Sequence, residues 1–208
     1  TKRGLLALIM SPYDPFGLVA PALLTGKLPQ CQAFPRKHEM SQDLKAAQWD
    51  DARPERFIRQ VEKLAATLEK LKDIPVQRAL IPGELAGPAY HQLFAFADAS
   101  AIAVAYAIYM RTIDNNGKVH VAFVAGDSNL TPRVATYKGE LSMPRAELCA
   151  ALLCTENTRI IERELKISLP PTYYFTDGED VNSWIWNTKA QFPIYIACLL
   201  YTSDAADE

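Results

Sequence analysis

His91-Gln92-Leu93-Phe94-Ala95-Phe96-Ala97-Asp98 is the stretch on which the fold turns. In an extended chain Leu93, Ala95 and Ala97 fall on one side, and Phe94 and Phe96 on the other. A strand that is apolar on both faces belongs in the middle of a sheet covered on both sides. Asp98 closes it, so rigid backbone holds a carboxylate at the sheet's edge. Residues 101–113 and 118–125 read as two further strands. Between them Asp114-Asn115-Asn116-Gly117 signals a hairpin, because Asn and Gly accept the positive φ angles such turns need. These two strands are therefore expected to pair antiparallel.

Downstream, 126–141 reads as a loop. Ser142 before Met143-Pro144 marks a helix start, since Ser caps and Pro is accepted in the first turn, and the helix runs to about Leu165. Pro170-Pro171 ends that region. Residues 172–176 form a short aromatic strand, and 178–187 a helix with Val181, Trp184 and Ile185 on one side. Three meander strands, a helix, a strand and a helix predict an α/β fold, a mixed sheet with helices packed on it.

Upstream the period is helical. Residues 41–74 are rich in Ala, Leu, Glu, Lys, Gln and Arg, with Trp49, Phe57, Val61, Leu64, Leu68 and Leu71 recurring at helical spacing. They predict one long helix or two, broken near Pro54, with Ser41 as N-cap. Residues 18–24 form a short helix candidate, 27–39 a linker, and the apolar start at Gly4 a helix entering a turn at Ser11-Pro12 rather than a signal peptide. A chain that opens at Thr1 reads as an internal piece of something longer. The expected division is a helical connection over 1–75, an α/β domain over 90–197, and a separate tail over 198–208.

Bulk properties exclude more than they specify. The chain has 208 residues, 49% hydrophobic, with a formal charge of −2, an ordinary globular balance without the strong positive charge of a purely electrostatic nucleic-acid binder. No run approaches the roughly 18 apolar residues of a membrane span. Cys31, Cys149, Cys154 and Cys198 form no C-x-x-C pair, and His38, His91 and His120 are scattered, so a zinc site is not expected. Cys149 and Cys154, five apart on a helix, point to different sides, which disfavours a disulfide and leaves reduced intracellular chemistry as the default.

Three acids carry the chemistry. Asp98 and Asp177 each end a strand, and Glu147 lies in the first turns of the long helix on the face of Ala150, Ala151 and Cys154. Carboxylates converging on one end of a sheet repel each other, and a divalent cation relieves that repulsion. Oxygen ligands without Cys or His favour Mg²⁺ or Mn²⁺. Two such ions about 3.5–4 Å apart activate water and stabilise a leaving oxygen in phosphodiester cleavage. Each acid also has a bland reading, as a turn residue or as an answer to a helix dipole. Arg133, Lys138 and Arg145 could contact phosphates but read first as surface charge, and of Trp184 and Trp186, both able to stack on bases, Trp184 reads as core.

Four ordered motifs resemble the BEL/Pao class of long-terminal-repeat retrotransposon polyproteins. They are Tyr13-Asp14-Pro15-Phe16-Gly17-Leu18-Val19-Ala20-Pro21, Phe96-Ala97-Asp98-Ala99-Ser100, Met143-Pro144-Arg145-Ala146-Glu147-Leu148-Cys149-Ala150-Ala151, and Phe175-Thr176-Asp177 with Trp184-Ile185. The resemblance implies a helical connection following a reverse transcriptase. Behind it comes a ribonuclease H-like mixed sheet, three antiparallel meander strands plus a parallel one, flanked by helices. It also implies Asp98, Glu147 and Asp177 as ligands of Mg²⁺ or Mn²⁺ for cleaving RNA in RNA–DNA hybrids, with the adjoining reverse transcriptase as partner, no membrane, and a cytoplasmic, virus-like-particle setting.

Gly178 stands where that class usually has Ser, and the class's remaining catalytic Asp lies beyond the Trp184-Ile185 segment. Residues 192–197 still resemble it, whereas 198–208 reads as the translation of a transposase adapter from sequencing-library preparation. The alternatives are a structural remnant that cannot cut without its last ligand and an aspartic peptidase, a label this region of Pao elements has carried. The peptidase needs an Asp-(Thr/Ser)-Gly turn, and Asp177-Gly178 lacks the middle residue.

Overall fold

The computed structural model describes residues 1–33, 50–51, 55–77, 79–85, 88–132, 141–187 and 189–204, and the chain divides into two compact units, Thr1–Val76 and Gln77–Glu208.

The first unit is helical: α1 (Lys2–Met10), α2 (Ala20–Ala33) and α3 (Glu55–Leu71). Thr1 caps α1 by accepting from the Gly4 N–H at 3.0 Å. Asp14 stands before α2 and accepts from the N–H groups of Leu18 at 2.9 Å and Val19 at 2.8 Å, which satisfies donors a helix start leaves open. The helical stripe of α3 does what its spacing predicts, since Phe57 and Leu64 are buried with Leu5 and Ile9 of α1, and Val61 and Leu68 pack around them. Helix α2 outruns the short segment expected and takes in part of the expected linker. Gly26, a residue that weakens a helical pattern, is buried where a side chain would strike Leu64 and Ile9, so it permits close helix packing instead of ending the helix. The expected cap Ser41, Trp49 and Pro54 lie outside the described residues.

The second unit is built on a four-stranded sheet of order β3-β2-β1-β4, from β1 (Pro88–Ala99), β2 (Ala103–Asp114), β3 (Val119–Leu130) and β4 (Tyr173–Phe175). Strand β1 runs antiparallel to β2, β2 antiparallel to β3, and β1 parallel to β4. This is the mixed sheet of a ribonuclease H-like fold. The hairpin forms where the sequence signals it. Gly117 takes φ 79°, and the buried Asp114 carboxylate accepts from the N–H groups of Asn116 at 2.9 Å and Lys118 at 2.8 Å. Strand β3 extends past the expected end near Ala125. Gly126 marks no loop: the β2–β3 register slips between Ile108 and Tyr109, and a Cβ on Gly126 would press on the Tyr106 carbonyl. The bulged residue is Val124, left out between the Ile108–Ala125 and Tyr109–Phe123 pairs, while Gly126, paired with Ala107, serves the close backbone approach.

Helix α4 (Met143–Leu165) covers one face. Ala146, Cys149, Ala150 and Cys154 meet Leu93, Ala95, Ala97, Val104, Ile108 and Met110 in the main core. Small residues on the helix bring its axis close to the sheet. Ser142 supplies the extended N-cap backbone and its carbonyl accepts from Ala146 N–H at 3.0 Å, but its hydroxyl makes no cap bond. Helices α5 (Glu179–Trp186) and α6 (Ile194–Asp204) add a second cluster around Leu148, Val181 and Ile196, with Trp184 and Phe192 packed against it. Trp184 is packed as expected, whereas Ile185, expected on the same side, is 50% exposed. Helix α6 runs through Cys198, where the separate tail was expected to begin, and Leu199 and Leu200 pack against the core clusters.

The other sheet face carries a continuous run of rings. Tyr173 stacks on Phe94, Phe94 on Phe175, and Phe175 on Phe96; Tyr109 meets Phe96 and Phe123 edge-on, with centroids 4.9 to 6.2 Å apart. The double-faced reading of β1 therefore holds in its chemistry but not in burial, because Phe96 remains 42% exposed. No described helix is long and apolar enough to cross a membrane.

Candidate metal centre

The parallel pairing of β1 and β4 places the two strand-end aspartates. Phe96 pairs with Phe175, so Asp98 and Asp177 each follow the same rung by two residues, on neighbouring strands about 4.8 Å apart. Both are exposed. Asp98 turns one oxygen back on its own chain and accepts from the Ala99 N–H at 2.7 Å. Strand alternation sets Asp98 with Phe94 and Phe96, the side away from α4.

Glu147 arrives from the helix side. Its neighbours Ala146, Leu148 and Ala150 are buried, which fixes the first turns of α4 against the sheet and aims the half-buried Glu147 at the strand ends. Burial pushes its carboxyl above the ordinary range, and the negative charges of Asp177, Asp180 and Asp98 add to that in descending order. The three predicted acids are thus brought into one electrostatic neighbourhood. Among the described residues, however, no three His, Cys, Asp or Glu side chains stand close enough together to hold one metal ion.

Asp180, in the first turn of α5, joins the group and ranks above Asp98 in its effect on Glu147. Its sequence signal is its place three residues after Asp177, but an acid in a first turn reads as a partner for the helix dipole. Gly178 touches the same group, since a Cβ built on it would collide with Glu147 Oε2. The donor set suits a hard divalent cation: oxygen only, negative charge gathered on Glu147, Asp177, Asp180 and Asp98, and one acid whose neutral form the site favours.

Arg145 lies over the ring of Tyr195 at 5.7 Å, and the Tyr195 hydroxyl is 3.2 Å from the buried Cys149 sulfur. Arg145, read first as surface charge and second as a phosphate contact, is thus held by an aromatic face in the turn that bears Glu147. Burial, then Cys149, pushes the Tyr195 phenol up to about 12. Arg133 and Lys138 lie outside the described residues. Trp186 is 83% exposed and packs on no cluster, unlike Trp184.

A solved structure of a foamy viral protease-reverse transcriptase dRH in complex with double-stranded DNA is similar at 14% identity and a TM-score of 0.29, over 98% of this chain and 32% of that one. The chain spans about a third of that relative's length. No curated protein matches it. The model of the Pao retrotransposon-like RNaseH-like domain family matches residues 1–178, which takes in Asp98, Glu147 and Asp177, and the chain belongs to that family.

Proposed function

We propose that this domain is the divalent-metal-dependent nuclease module of a retrotransposon polyprotein, cutting the RNA strand of RNA–DNA hybrids beside an adjoining reverse transcriptase, in the cytoplasmic particle of the element. The observation that carries this reading is the meeting of Glu147 with Asp177, Asp180 and Asp98 at one end of the sheet. Asp98, Glu147 and Asp177 would hold Mg²⁺ or Mn²⁺, which when bound supplies an activated water and neutralises charge on the leaving oxygen. The chain's own part is positional. Strands β1 and β4 fix the level of the two aspartates, α4 delivers the third acid, and Arg145, steadied on Tyr195, offers a cation to a hybrid's phosphate.

A second reading has its own observation: no three of these side chains share one ion position among the described residues. On that reading residues 1–208 alone are an incomplete site, structurally intact and catalytically silent. A Mg²⁺-dependent hybrid-cleavage assay on residues 1–208 decides between them. A site complete in this chain cuts the hybrid and loses that cleavage in Asp98→Asn, whereas the silent reading gives little or none. We expect little or none, and robust turnover by residues 1–208 would overturn the silent reading.

A further inference from the structure

Gly178 has no conformational reason to be glycine. Its φ of −71° and ψ of 95° suit any residue, and as the N-cap of α5 it makes no side-chain cap bond, although Ser or Asp there would answer an open N–H. Sterics supply the reason. A Cβ would collide with Glu147 Oε2 and lie 3.2 Å from both Glu147 Cδ and Val181 Cγ2. Val181 is fully buried and cannot give way, whereas the Glu147 carboxylate ends a flexible side chain. The space a side chain would fill at 178 is therefore filled by Glu147.

We propose that Gly178 is a positioning residue: its missing side chain leaves a notch where the Glu147 carboxylate rests, held back from the place where Asp98 and Asp177 would share a cation with it. This rests on the nuclease reading given above. It accounts for why the acids are electrostatic neighbours and yet no three of the described side chains stand at one ion position. Among the described residues no hydrogen bond holds the carboxylate in the notch, and the missing Cβ supplies only the room it occupies. Glu147 is half-buried, whereas Asp98 and Asp177 are exposed. A side chain at 178 closes the notch and leaves Glu147 in the outward position that a cation needs.

The test measures Mn²⁺ binding by calorimetry on the full chain for wild type, Gly178→Ala and Gly178→Ser. A resting position that must be vacated weakens apparent affinity by the fraction of time it is occupied, so both variants should bind about three- to tenfold more tightly. Unchanged or weaker binding overturns the proposal. A metal-free arm stands apart from the nuclease reading: the close contact with Val181 is common to both backgrounds, so Gly178→Ala should change the Tm by different amounts in the wild-type and Glu147→Ala proteins. Equal shifts in the two backgrounds would overturn the positioning role. If no form binds Mn²⁺ while the two backgrounds differ as expected, the nuclease reading falls and the notch stands.

Discussion

Asp98 and Asp177 stand two residues beyond the same rung of the sheet, because Phe96 of β1 pairs with Phe175 of β4. A slip of one residue in that pairing would turn β4 over and carry Asp177 away from Asp98. The register is therefore part of the site. It is held along only three pairs, Phe94 with Tyr173, Ala95 with Tyr174 and Phe96 with Phe175, and the stacked rings on the open face reinforce two of them.

Phe175→Ala is accordingly expected to loosen β4. The stacks on Phe96 and Phe94 contribute about 0.5–1.5 kcal/mol each beyond buried area. Phe175→Tyr, which keeps the ring, should retain most of this. Urea unfolding of both variants, with hydrogen exchange across 173–177, checks the claim. Unchanged protection in Phe175→Ala would show that the rings do not hold the strand.

Helix α4 brings Glu147 to the site only because Ala146 and Ala150 let it lie close to β1 and β2, and Ala150 is fully buried. Ala150→Leu should overpack this contact at a cost of about 1–3 kcal/mol. It should also weaken divalent-cation binding, since the helix must lift. The corresponding change on the outer side, Glu156→Leu, is expected to do neither. Denaturant midpoints and Mn²⁺ titration of the two variants separate them.

How much of this was legible in the sequence follows from how local each signal is. The hairpin at Asp114-Asn115-Asn116-Gly117 and the span of α4 are set by turn and helix-start chemistry within a few residues, and they lie where the sequence puts them. The end of β3 was misplaced because Gly126 looks like a terminator, and its close approach to the Tyr106 carbonyl, twenty residues away in the chain, exists only in the folded sheet. The acids were found as strand ends and a helix face. Asp180 was passed over because a first-turn acid has a sufficient local explanation, and the Glu147–Gly178 contact is invisible without the packing of α4 on the sheet and on α5.

Gly117→Ala tests the hairpin. With φ at 79° the position lies in the left-handed region, where a Cβ costs about 1–2 kcal/mol. Open space surrounds a Cβ there, so the loss is conformational and no clash adds to it. Gly117→Asn should recover part of it, because Asn tolerates that region. If thermal denaturation gave equal midpoints for the Ala variant and wild type, the turn would not hold this conformation in solution.

The last expectation concerns pH. The Glu147 carboxyl is raised in the folded protein, so the native state holds this proton more tightly than the unfolded chain does. Below the ordinary glutamate pKa both states are protonated and the group is neutral toward stability. As pH rises from there through the raised folded value, the unfolded state ionises first and stability declines to a lower plateau. Glu147→Gln removes that decline, so its Tm should exceed that of wild type at neutral pH, with the gap closing toward acid. Because Asp177 acts more strongly than Asp98 after burial, Asp177→Asn should narrow the gap more than Asp98→Asn. Mn²⁺ should stabilise wild type at neutral pH and leave Glu147→Gln nearly unmoved, because a ligand that binds the native state raises its Tm by mass action. Scanning calorimetry of the four proteins between acid and neutral pH measures all of this. A Glu147→Gln curve parallel to wild type would mean that the acids do not share a field.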